Sequence, residues 1–439
     1  MDLKTETIEE PRTRSGFWGK LIDRYGSITG KLSGAVVDQA LFGGSNFILN
    51  VLLARWMEPS QYGAFVVAYS WFLLPQNFYD ALLIEPMSIF GSGRYFKKLR
   101  YYLGYIYYGH MGISLVGALV LAIGAIFSHV VDSALMGTAL LGVAVATPMM
   151  LSRWLTRQPL YVMTQPHHSA LGGAIYLVLS TASIWVLYQL DILDPFTAIL
   201  ANGLANLASS IFLTVRFIKP VLRLKRDEDL APRKLIREHL GYARWSILSR
   251  GLSWISINIY YVMLPVIVGL GGSAALRALM NFSMPMSMAI AAVLTLLLPM
   301  FVRAYENEGK ASLNGKIRMA LGLMVGGSLV YLVAVVLFGG LAANQLYRGQ
   351  FDEFVTLPVL VTLGLIPVTT SFNIVMDAAL RSMGHIKLAF ISQIASAVLA
   401  LTAGLLLMST LGLLGVTLSM NLTALVTVAI QWSIYRRLQ

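Results

Sequence analysis

Twelve apolar stretches follow one another along the chain, separated by short charged or turn-rich segments. Each is long enough to cross the hydrocarbon core of a bilayer, which takes roughly 20 residues of helix. Because backbone polar groups cannot stay unpaired in lipid, each stretch predicts one transmembrane α-helix. The predicted spans are residues 34–56, 61–90, 101–128, 133–156, 169–190, 195–217, 242–270, 273–302, 317–341, 356–380, 386–409 and 412–435.

The longest polar break divides these spans into two groups of six. It covers residues 218–241, is rich in charge and contains two prolines, so it predicts a basic cytoplasmic linker. The predicted organisation is an N-terminal bundle over 34–217 and a C-terminal bundle over 242–439. Residues 1–33 are polar, and apolar positions between 15 and 31 recur at helical spacing, which predicts a short helix lying at the inner membrane surface.

The composition agrees with lipid as the main solvent. Of the 439 residues, 57% are hydrophobic and only 12% are charged, whereas a soluble domain carries about 25% charged residues. Twelve spans with short connections use nearly the whole chain, so no sizeable soluble domain is expected. The chain contains no cysteine, which excludes disulfides, thiolate metal sites and a thiol nucleophile.

The basic residues predict the orientation of the spans. In a membrane protein, the net charge of +12 is typical of loops that keep Lys and Arg in the cytoplasm, and no nucleic-acid partner is predicted. With the N-terminus inside, only Arg55, Arg277 and Arg348 of the 33 Lys and Arg residues fall at outer ends. The pattern therefore predicts that both chain ends are cytoplasmic.

A weak repeat relates the two halves of the chain. A shift of about 212 residues places Asn258 opposite Asn46, and the second span of each half ends similarly, in LLIEPM with Pro86 and in TLLLPM with Pro299. Many transporters consist of duplicated bundles with a cavity between them. The repeat therefore predicts two six-helix bundles related by a pseudo-two-fold axis.

Polar residues inside spans are costly in lipid, so the helix faces that carry them are informative. Amides share faces of the first two spans of each half and of the tenth span, which predicts a central polar cavity; interhelical packing is the alternative role. Asp38, Asp80 and Asp377 are candidates for coupling to protons or cations, and pairing with arginine is their alternative. The candidate amides are Asn46, Gln76, Asn258, Asn281 and Asn373.

Motifs of enzymes are absent from the sequence. The six histidines have no spacing typical of metal ligands, and no GxxxxGK[ST] phosphate-binding loop occurs. The predicted outer loops are too short to hold a catalytic domain. The sequence therefore predicts a transporter rather than an enzyme, with no catalytic residue, no metal and no cofactor.

The first two spans resemble a known family. They read VVDQALFGGSNFILNVLLARWMEPSQYGAFVVAYSWFLLPQNFYDALLIEPM, with SN in a polar first span, an EPSQYGAF turn and a second span ending in EPM. This text, over residues 36–95, is similar to the opening of bacterial lipid-linked oligosaccharide flippases, the Wzx-like polysaccharide transporters. Their superfamily also holds the multidrug and toxic-compound exporters and the peptidoglycan-precursor flippases, so the resemblance implies a MATE-like fold.

The resemblance also implies a function. Members of this family move an undecaprenyl-diphosphate-linked oligosaccharide across the bacterial inner membrane by alternating access, for exopolysaccharide or O-antigen synthesis. A diphosphate requires cations, so the resemblance implies that Arg153, Arg250 and Arg277 contact it while the candidate amides contact the sugars. Snorkelling to the inner interface is the alternative for Arg153 and Arg250. The implied partners are membrane lipids, a polysaccharide polymerase and the export machinery, and the protein is expected to be a monomer.

Two other functions fit the same pattern. Ion-coupled export of cationic drugs favours an acidic, aromatic-lined cavity, and a membrane partner of polysaccharide synthesis transports nothing. A peptidoglycan-precursor flippase is disfavoured, because such proteins carry about two further spans and several arginines in the first span, where this chain has Asp38.

Overall fold

The computed structural model describes residues 17–130, 133–219, 231–384 and 386–437. Their side chains are described except at 17–33, 292, 295–296 and 386–389. Residues 1–16 of the predicted N-terminal segment and residues 220–230 of the predicted linker lie outside the described residues. All regular structure in the described ranges is helical, which confirms the predicted all-α class.

The first half of the chain forms six helices that run alternately between the two sides of the molecule. They are α1 (Phe17–Trp56), α2 (59–92), α3 (Leu99–Val130), α4 (Ala134–Val162), α5 (Pro166–Gln189) and α6 (195–218). A π turn over Asp80–Ile84 interrupts α2, and another over Thr214–Ile218 ends α6. Because α1 is unbroken, the segment predicted as a separate interfacial helix forms its first turns.

The second half of the chain repeats this arrangement. Its helices are α7 (Pro232–Val268), α8 (270–308), α9 (310–347), α10 (Leu357–Ser382), α11 (386–411) and α12 (413–437). Pro232 occupies the first turn of α7, where its missing amide hydrogen does no harm. This helix begins ten residues before the predicted boundary at 242, so the end of the predicted linker is helical.

Two glycines end helices by reversing the chain. Gly309 has φ +78° and Gly412 has φ +58°, in the left-handed region that residues with a Cβ rarely adopt. The hydroxyl of Tyr331 in α9 donates a hydrogen bond to the carbonyl oxygen of Phe282 in α8, so α9 folds back along α8 at Gly309. The chain likewise turns from α11 into α12 at Gly412.

The reversals account for the number of spans. Nine helices of the described chain are long and apolar enough to cross a membrane. Two of these nine, 297–347 and 390–437, contain the reversals at Gly309 and Gly412, and α2 adds one further helix. The described residues therefore form the twelve predicted spans.

Both bundles use the same packing scheme. In the first, α1 packs on α5, α3 on α4 and α4 on α6; in the second, α7 packs on α11, α9 on α10 and α10 on α12. Each helix of the second half takes the place of the helix six positions earlier. Asn46 of α1 and Asn258 of α7, which the sequence repeat pairs, lie on corresponding helices.

The outer faces of the helices are apolar. On α3, the side chains of Leu115, Leu119 and Ile126 are 67%, 61% and 65% exposed. They share one face of the helix, and a soluble monomer rarely exposes a continuous apolar stripe of this kind. The chain is therefore a multi-pass membrane protein.

The two sides of the molecule differ in charge. We call the side where α7 begins and α12 ends the basic side, since Arg94, Arg237 and Arg436 lie there. Arg55 and Arg348 lie at helix ends on the opposite side. The charges are segregated as the sequence predicts, and the cytoplasmic location of the basic side stays a prediction.

Candidate functional site

A cavity of about 380 Å³ lies between the two bundles, enclosed by α2, α7 and α8. Gln76, Asn258, Arg277 and Asn281 line it, so four of the eight predicted substrate-binding residues meet there. None of its lining residues is Asp or Glu, and Arg277 is the one charged group among them. Arg277 therefore gives the cavity a positive charge, and amides and hydroxyls line it together with apolar side chains. Its other lining residues are Leu73, Asn77, Ile257, Tyr261, Met280, Ser283, Met284 and Ser287.

Arg277 is held by neutral groups. Its Nε donates a hydrogen bond of 3.0 Å to Oδ1 of Asn50 in α1, and the hydroxyl of Tyr62 donates to the same oxygen at 3.1 Å. The ionisable groups that act on Arg277 are the phenols of Tyr62, Tyr69 and Tyr261, with no carboxylate among them. Within the described chain Arg277 has no ion pair, so its charge is available to an anionic ligand.

Arg153 is a second buried arginine without an ion pair in the described chain, although the carboxylate of Asp38 lies near enough to act on its charge. It is 4% exposed, and its guanidinium lies 4.0 Å from the ring centre of Tyr176 and 5.3 Å from that of Phe42. Aromatic faces stabilise a cation in this geometry. Arg153 of the first bundle and Arg277 of the second both lie near enough to Tyr69 for their charges to act on its phenol.

Arg250, the third predicted cation, lies outside the cavity, at the interface between α2 and α7. We call this interface the α2–α7 seam. Nη2 of Arg250 is 2.5 Å from Oε1 of Glu85, and its Nη1 is 3.3 Å from Oδ2 of Asp80. The hydroxyl of Ser246 also donates to Glu85. Two carboxylates neutralise this guanidinium while the seam is closed, so it is not free for an anion in this conformation.

The π turn in α2 brings the two carboxylates to one cation. On a regular α-helix, residues five positions apart point in directions about 140° apart. The π turn over Asp80–Ile84 winds one extra residue into the helix, so Asp80 and Glu85 both face Arg250. Oδ2 of Asp80 also accepts a hydrogen bond of 3.3 Å from Gln76, whereas the buried Oδ1 has no hydrogen-bond partner.

Asp38, another predicted coupling carboxylate, is fully paired inside the first bundle. It is 1% exposed, and its oxygens accept hydrogen bonds from Nε of Arg157 at 2.7 Å, from Tyr161 at 2.6 Å and from Ser169 at 3.0 Å. These contacts tie α1 to α4 and α5. Asp38 is not among the residues that line the central cavity.

Asp377 and Asn373 lie on α10, inside the second bundle. Oδ2 of Asp377 is 2.6 Å from Nε of Arg381 one turn later, and Oδ1 of Asn373 accepts a hydrogen bond of 3.1 Å from Gln431 of α12. Neither residue lines the central cavity. Their coupling and binding roles stay predictions.

Three residues of the site are missing from the predicted binding set, namely Asn50, Tyr69 and Tyr261. Asn50 lies one turn after Asn46, whose carbonyl oxygen accepts a hydrogen bond of 2.7 Å from the Asn50 side chain. Because Asn50 follows Asn46 by one helical turn, the sequence alone could have identified it as a site residue. Glu85 had no such signal, because its direction depends on the π turn.

On the opposite side, the two bundles pack tightly together. The guanidinium of Arg55 in α1 donates a hydrogen bond of 2.9 Å to the carbonyl oxygen of Gln345 in α9. Gly63 of α2 approaches α8 so closely that a Cβ atom there would lie 2.0 Å from the carbonyl oxygen of Leu270. Only glycine permits this approach.

On the basic side, an ion pair and hydrogen bonds hold the α2–α7 seam together. Arg94 Nη1 is 2.7 Å from Oε1 of Glu238 in α7, and Tyr102 of α3 lies at hydrogen-bond distance, 2.9 Å, from Nε2 of His239. Nearer the cavity, Nε1 of Trp254 donates a hydrogen bond of 2.9 Å to the carbonyl oxygen of Ser70. Together with the Arg250 contacts, these join the bundles from the basic end to the middle.

No protein-family model and no curated protein matches the sequence. Solved structures of similar fold do exist. An inward-facing multidrug resistance MATE family transporter of the MOP superfamily is 16% identical, with a TM-score of 0.74 over 91% of this chain and 94% of the other. An outward-facing structure of such a transporter gives 15% identity and a TM-score of 0.63, over 94% of each chain.

A flippase shares the fold as well. The lipid II flippase MurJ, in an inward closed conformation, is 14% identical, with a TM-score of 0.69 over 92% of this chain and 87% of the other. At these identities the likeness concerns the fold, and the predicted MATE-like architecture of two six-helix bundles is confirmed.

Proposed function

We propose that this protein is an alternating-access transporter that flips an undecaprenyl-diphosphate-linked oligosaccharide across the membrane, for exopolysaccharide or O-antigen synthesis. The observation that carries the proposal is the cavity between the bundles, where Arg277 is the one charged lining residue and has no carboxylate partner in the described chain. A positive, amide-lined chamber suits an anionic head group that carries sugars.

The arrangement of donors matches the two parts of such a head group. Guanidinium groups bind phosphate oxygens through several parallel hydrogen bonds, so Arg277 is assigned to the diphosphate. Arg153 does not line the cavity and is assigned to the diphosphate through its positive charge, which also acts on Tyr69. Gln76, Asn258 and Asn281 are assigned to sugar hydroxyls. Oδ1 of Asn281 is buried without a hydrogen-bond partner and so can accept from such a hydroxyl.

The fastening of the bundles supports alternating access. The bundles are joined on the opposite side, through Gly63 and Arg55, and on the basic side, through the α2–α7 seam. Solved structures of the same fold face either inward or outward. Arg250 binds substrate only after the seam releases it from Asp80 and Glu85. The proposal places the basic side in the cytoplasm of a bacterium and the protein in its inner membrane, as a monomer that hands its product to a polymerase.

The alternative, ion-coupled export of several drugs, is favoured by the likeness to a multidrug resistance transporter. A cavity that binds cationic drugs is expected to carry carboxylates. Asp80 and Glu85 are instead engaged by Arg250 on the seam. The third possibility, a membrane partner that transports nothing, predicts that no substrate crosses the bilayer at all.

Translocation in proteoliposomes tests the proposal. A fluorescent polyprenyl-diphosphate saccharide is added to one leaflet, and its appearance in the other is followed with a membrane-impermeant quencher. We expect flipping by the protein and at least a tenfold loss of rate in Arg277→Ala, with no loss in Arg348→Ala, an exposed arginine on the same side. Uptake of a cationic dye without flipping supports the drug exporter, and neither activity supports the non-transporting partner.

A further inference from the structure

The α2–α7 seam contains more negative than positive charge. Asp80 and Glu85 supply two carboxylates, and Arg250 supplies one guanidinium. The phenols of Tyr79 and Tyr242 lie nearby and add no positive charge. His239 of α7 contacts the carbonyl oxygen of Leu82 in the π turn, and burial lowers the pKa of its imidazole, which favours the neutral form. His110 of α3 does not reach the carboxylates, and its nearest recorded partner is the hydroxyl of Tyr79, at 3.0 Å. With both carboxylates ionised, the cluster carries a net charge of about −1. Arg250 and Glu85 are partly exposed, whereas Asp80 is buried, and a buried charge without a partner of its own is costly.

The two carboxylates differ in how well they are solvated by the protein. Glu85 accepts hydrogen bonds from Nε and Nη2 of Arg250 and from Ser246. Asp80 is 9% exposed, makes two long contacts of 3.3 Å through Oδ2, and leaves Oδ1 buried without a partner. A neutral carboxylic acid tolerates such an environment far better than a carboxylate does. Asp80 is therefore the less stable of the two carboxylates in its ionised form.

We propose that Asp80 is a proton-binding site, and that the proton on Asp80 holds the α2–α7 seam closed. With Asp80 neutral, the cluster has one carboxylate for one guanidinium and is balanced. When the proton leaves, an uncompensated charge remains between the bundles, and water must enter the seam to solvate it. The proposal concerns the ion that controls the conformation and does not depend on which molecule the cavity carries.

A metal cation is a poorer occupant of this position. Cations such as Mg²⁺ and Ca²⁺ take six or more oxygen ligands, whereas no group of three His, Asp or Glu side chains suited to a metal occurs in the described chain. Gln76 donates its amide hydrogen toward Asp80 and so does not offer its oxygen in this arrangement. A proton requires only the one free oxygen.

The sign of the pH dependence follows from linkage. The closed seam binds the Asp80 proton more tightly than an open, hydrated seam does, so low pH favours the closed state. Over the range in which the two states differ by one bound proton, the closed-to-open ratio falls roughly tenfold for each unit of pH increase. Replacing Asp80 with a neutral amide should remove this dependence.

The absence of cysteine makes the test direct, because two introduced cysteines are the only sites for spin labels. Ser92→Cys at the end of α2 and Lys234→Cys at the start of α7 are exposed positions on the basic side. Electron–electron distances in nanodiscs between pH 5 and pH 9 report the closed and open populations. The closed population should decrease as the pH rises.

Variants on the same background separate the cluster from other titrating groups. In Asp80→Asn, the closed state should predominate at every pH. In Glu85→Gln, the remaining carboxylate balances Arg250, so the pH dependence should also disappear. Glu353→Gln, which removes an exposed carboxylate on the opposite side of the molecule, should behave as the parent does. Size-exclusion profiles identify variants that do not fold. If Asp80→Asn does not fold, the spin-label distances of the parent and of Glu85→Gln decide the result.

Three results overturn the proposal. One is a seam whose distances do not change with pH in the parent. The second is a pH dependence that persists in a folded Asp80→Asn or in a folded Glu85→Gln. The third is a shift produced by sodium at fixed pH that matches the shift produced by protons, which assigns the site to the metal ion. None of these results bears on whether a diphosphate lipid is flipped.

Discussion

Arg277 and Asn50 are separated by 227 residues of sequence, yet Nε of the arginine lies 3.0 Å from Oδ1 of the amide. The contact joins α8 of the second bundle to α1 of the first, beside the central cavity. Because an amide is neutral, Asn50 fixes the direction of the guanidinium without cancelling its charge. The arrangement positions a cation for a ligand, whereas an aspartate at the same place would neutralise it.

Two substitutions of Asn50 separate these effects. Asn50→Leu removes the acceptor of both Arg277 and Tyr62, and we expect it to destabilise the protein by about 1–3 kcal/mol. Asn50→Asp keeps this acceptor and pairs with Arg277 but loses the hydrogen bond that Nδ2 of Asn50 donates to Asn46. It should therefore destabilise the protein less than Asn50→Leu does, while binding of a diphosphate lipid weakens. Thermal unfolding by tryptophan fluorescence and binding in nanodiscs measure the two. Equal diphosphate binding by Asn50→Asp and the parent would contradict the assigned role of Arg277.

The approach of α2 to α8 depends on the absence of a side chain at Gly63. A Cβ atom there would lie 2.0 Å from the carbonyl oxygen of Leu270, so Gly63→Ala must push the helices apart. We expect a loss of about 1–3 kcal/mol of stability, typical of overpacking. Gly44 is the control, because a Cβ atom there has no atom within 4 Å. Gly44→Ala should leave the melting temperature unchanged or slightly higher, and equal melting temperatures for the two variants would refute the close contact.

Asp38 and Asp377 should differ in their importance for stability. Asp38→Asn disrupts a buried pair with Arg157, and removing one partner of such a pair costs about 3–5 kcal/mol. Asp377→Asn affects a more exposed pair with Arg381 within one helix, for which about 0.5 kcal/mol or less is expected. Melting temperatures of the two purified variants give the comparison. A larger loss in Asp377→Asn would reverse our ranking.

The twelve spans were predictable because lipid requires a fixed length of apolar helix. The reversal at Gly309 falls in the gap between the predicted spans 273–302 and 317–341, and the reversal at Gly412 falls at the first residue of the predicted span 412–435. The start of α7 was not visible in the hydropathy, because residues 232–241 are polar and charged and hydropathy marks only the part of a helix that lies in lipid. The Leu and Ile residues of this segment do recur among the charges at helical spacing. The helix itself continues to Pro232.

The site was predictable where a regular helix sets the direction of a side chain. Helical spacing brought Gln76, Asn258 and Arg277 to one cavity, as the polar stripes indicated. Sequence could not predict that Arg250 is neutralised, because Glu85 turns toward it only through the π turn of α2. It also could not place Arg153, since a buried polar face can point at its own bundle or at the neighbouring one.

Equilibrium binding to purified protein measures whether the positively charged cavity binds an anionic lipid-linked head group. Undecaprenyl diphosphate and the uncharged undecaprenol are titrated against the parent and against Arg277→Gln, with Arg348→Gln as the control. We expect the parent to bind the diphosphate more tightly than undecaprenol. Arg277→Gln should weaken the affinity for the diphosphate by roughly ten- to a hundredfold, as loss of a charged hydrogen-bond donor does, and should leave the affinity for undecaprenol unchanged. Equal affinity of the parent for both lipids, or unchanged diphosphate binding in Arg277→Gln, would contradict the account.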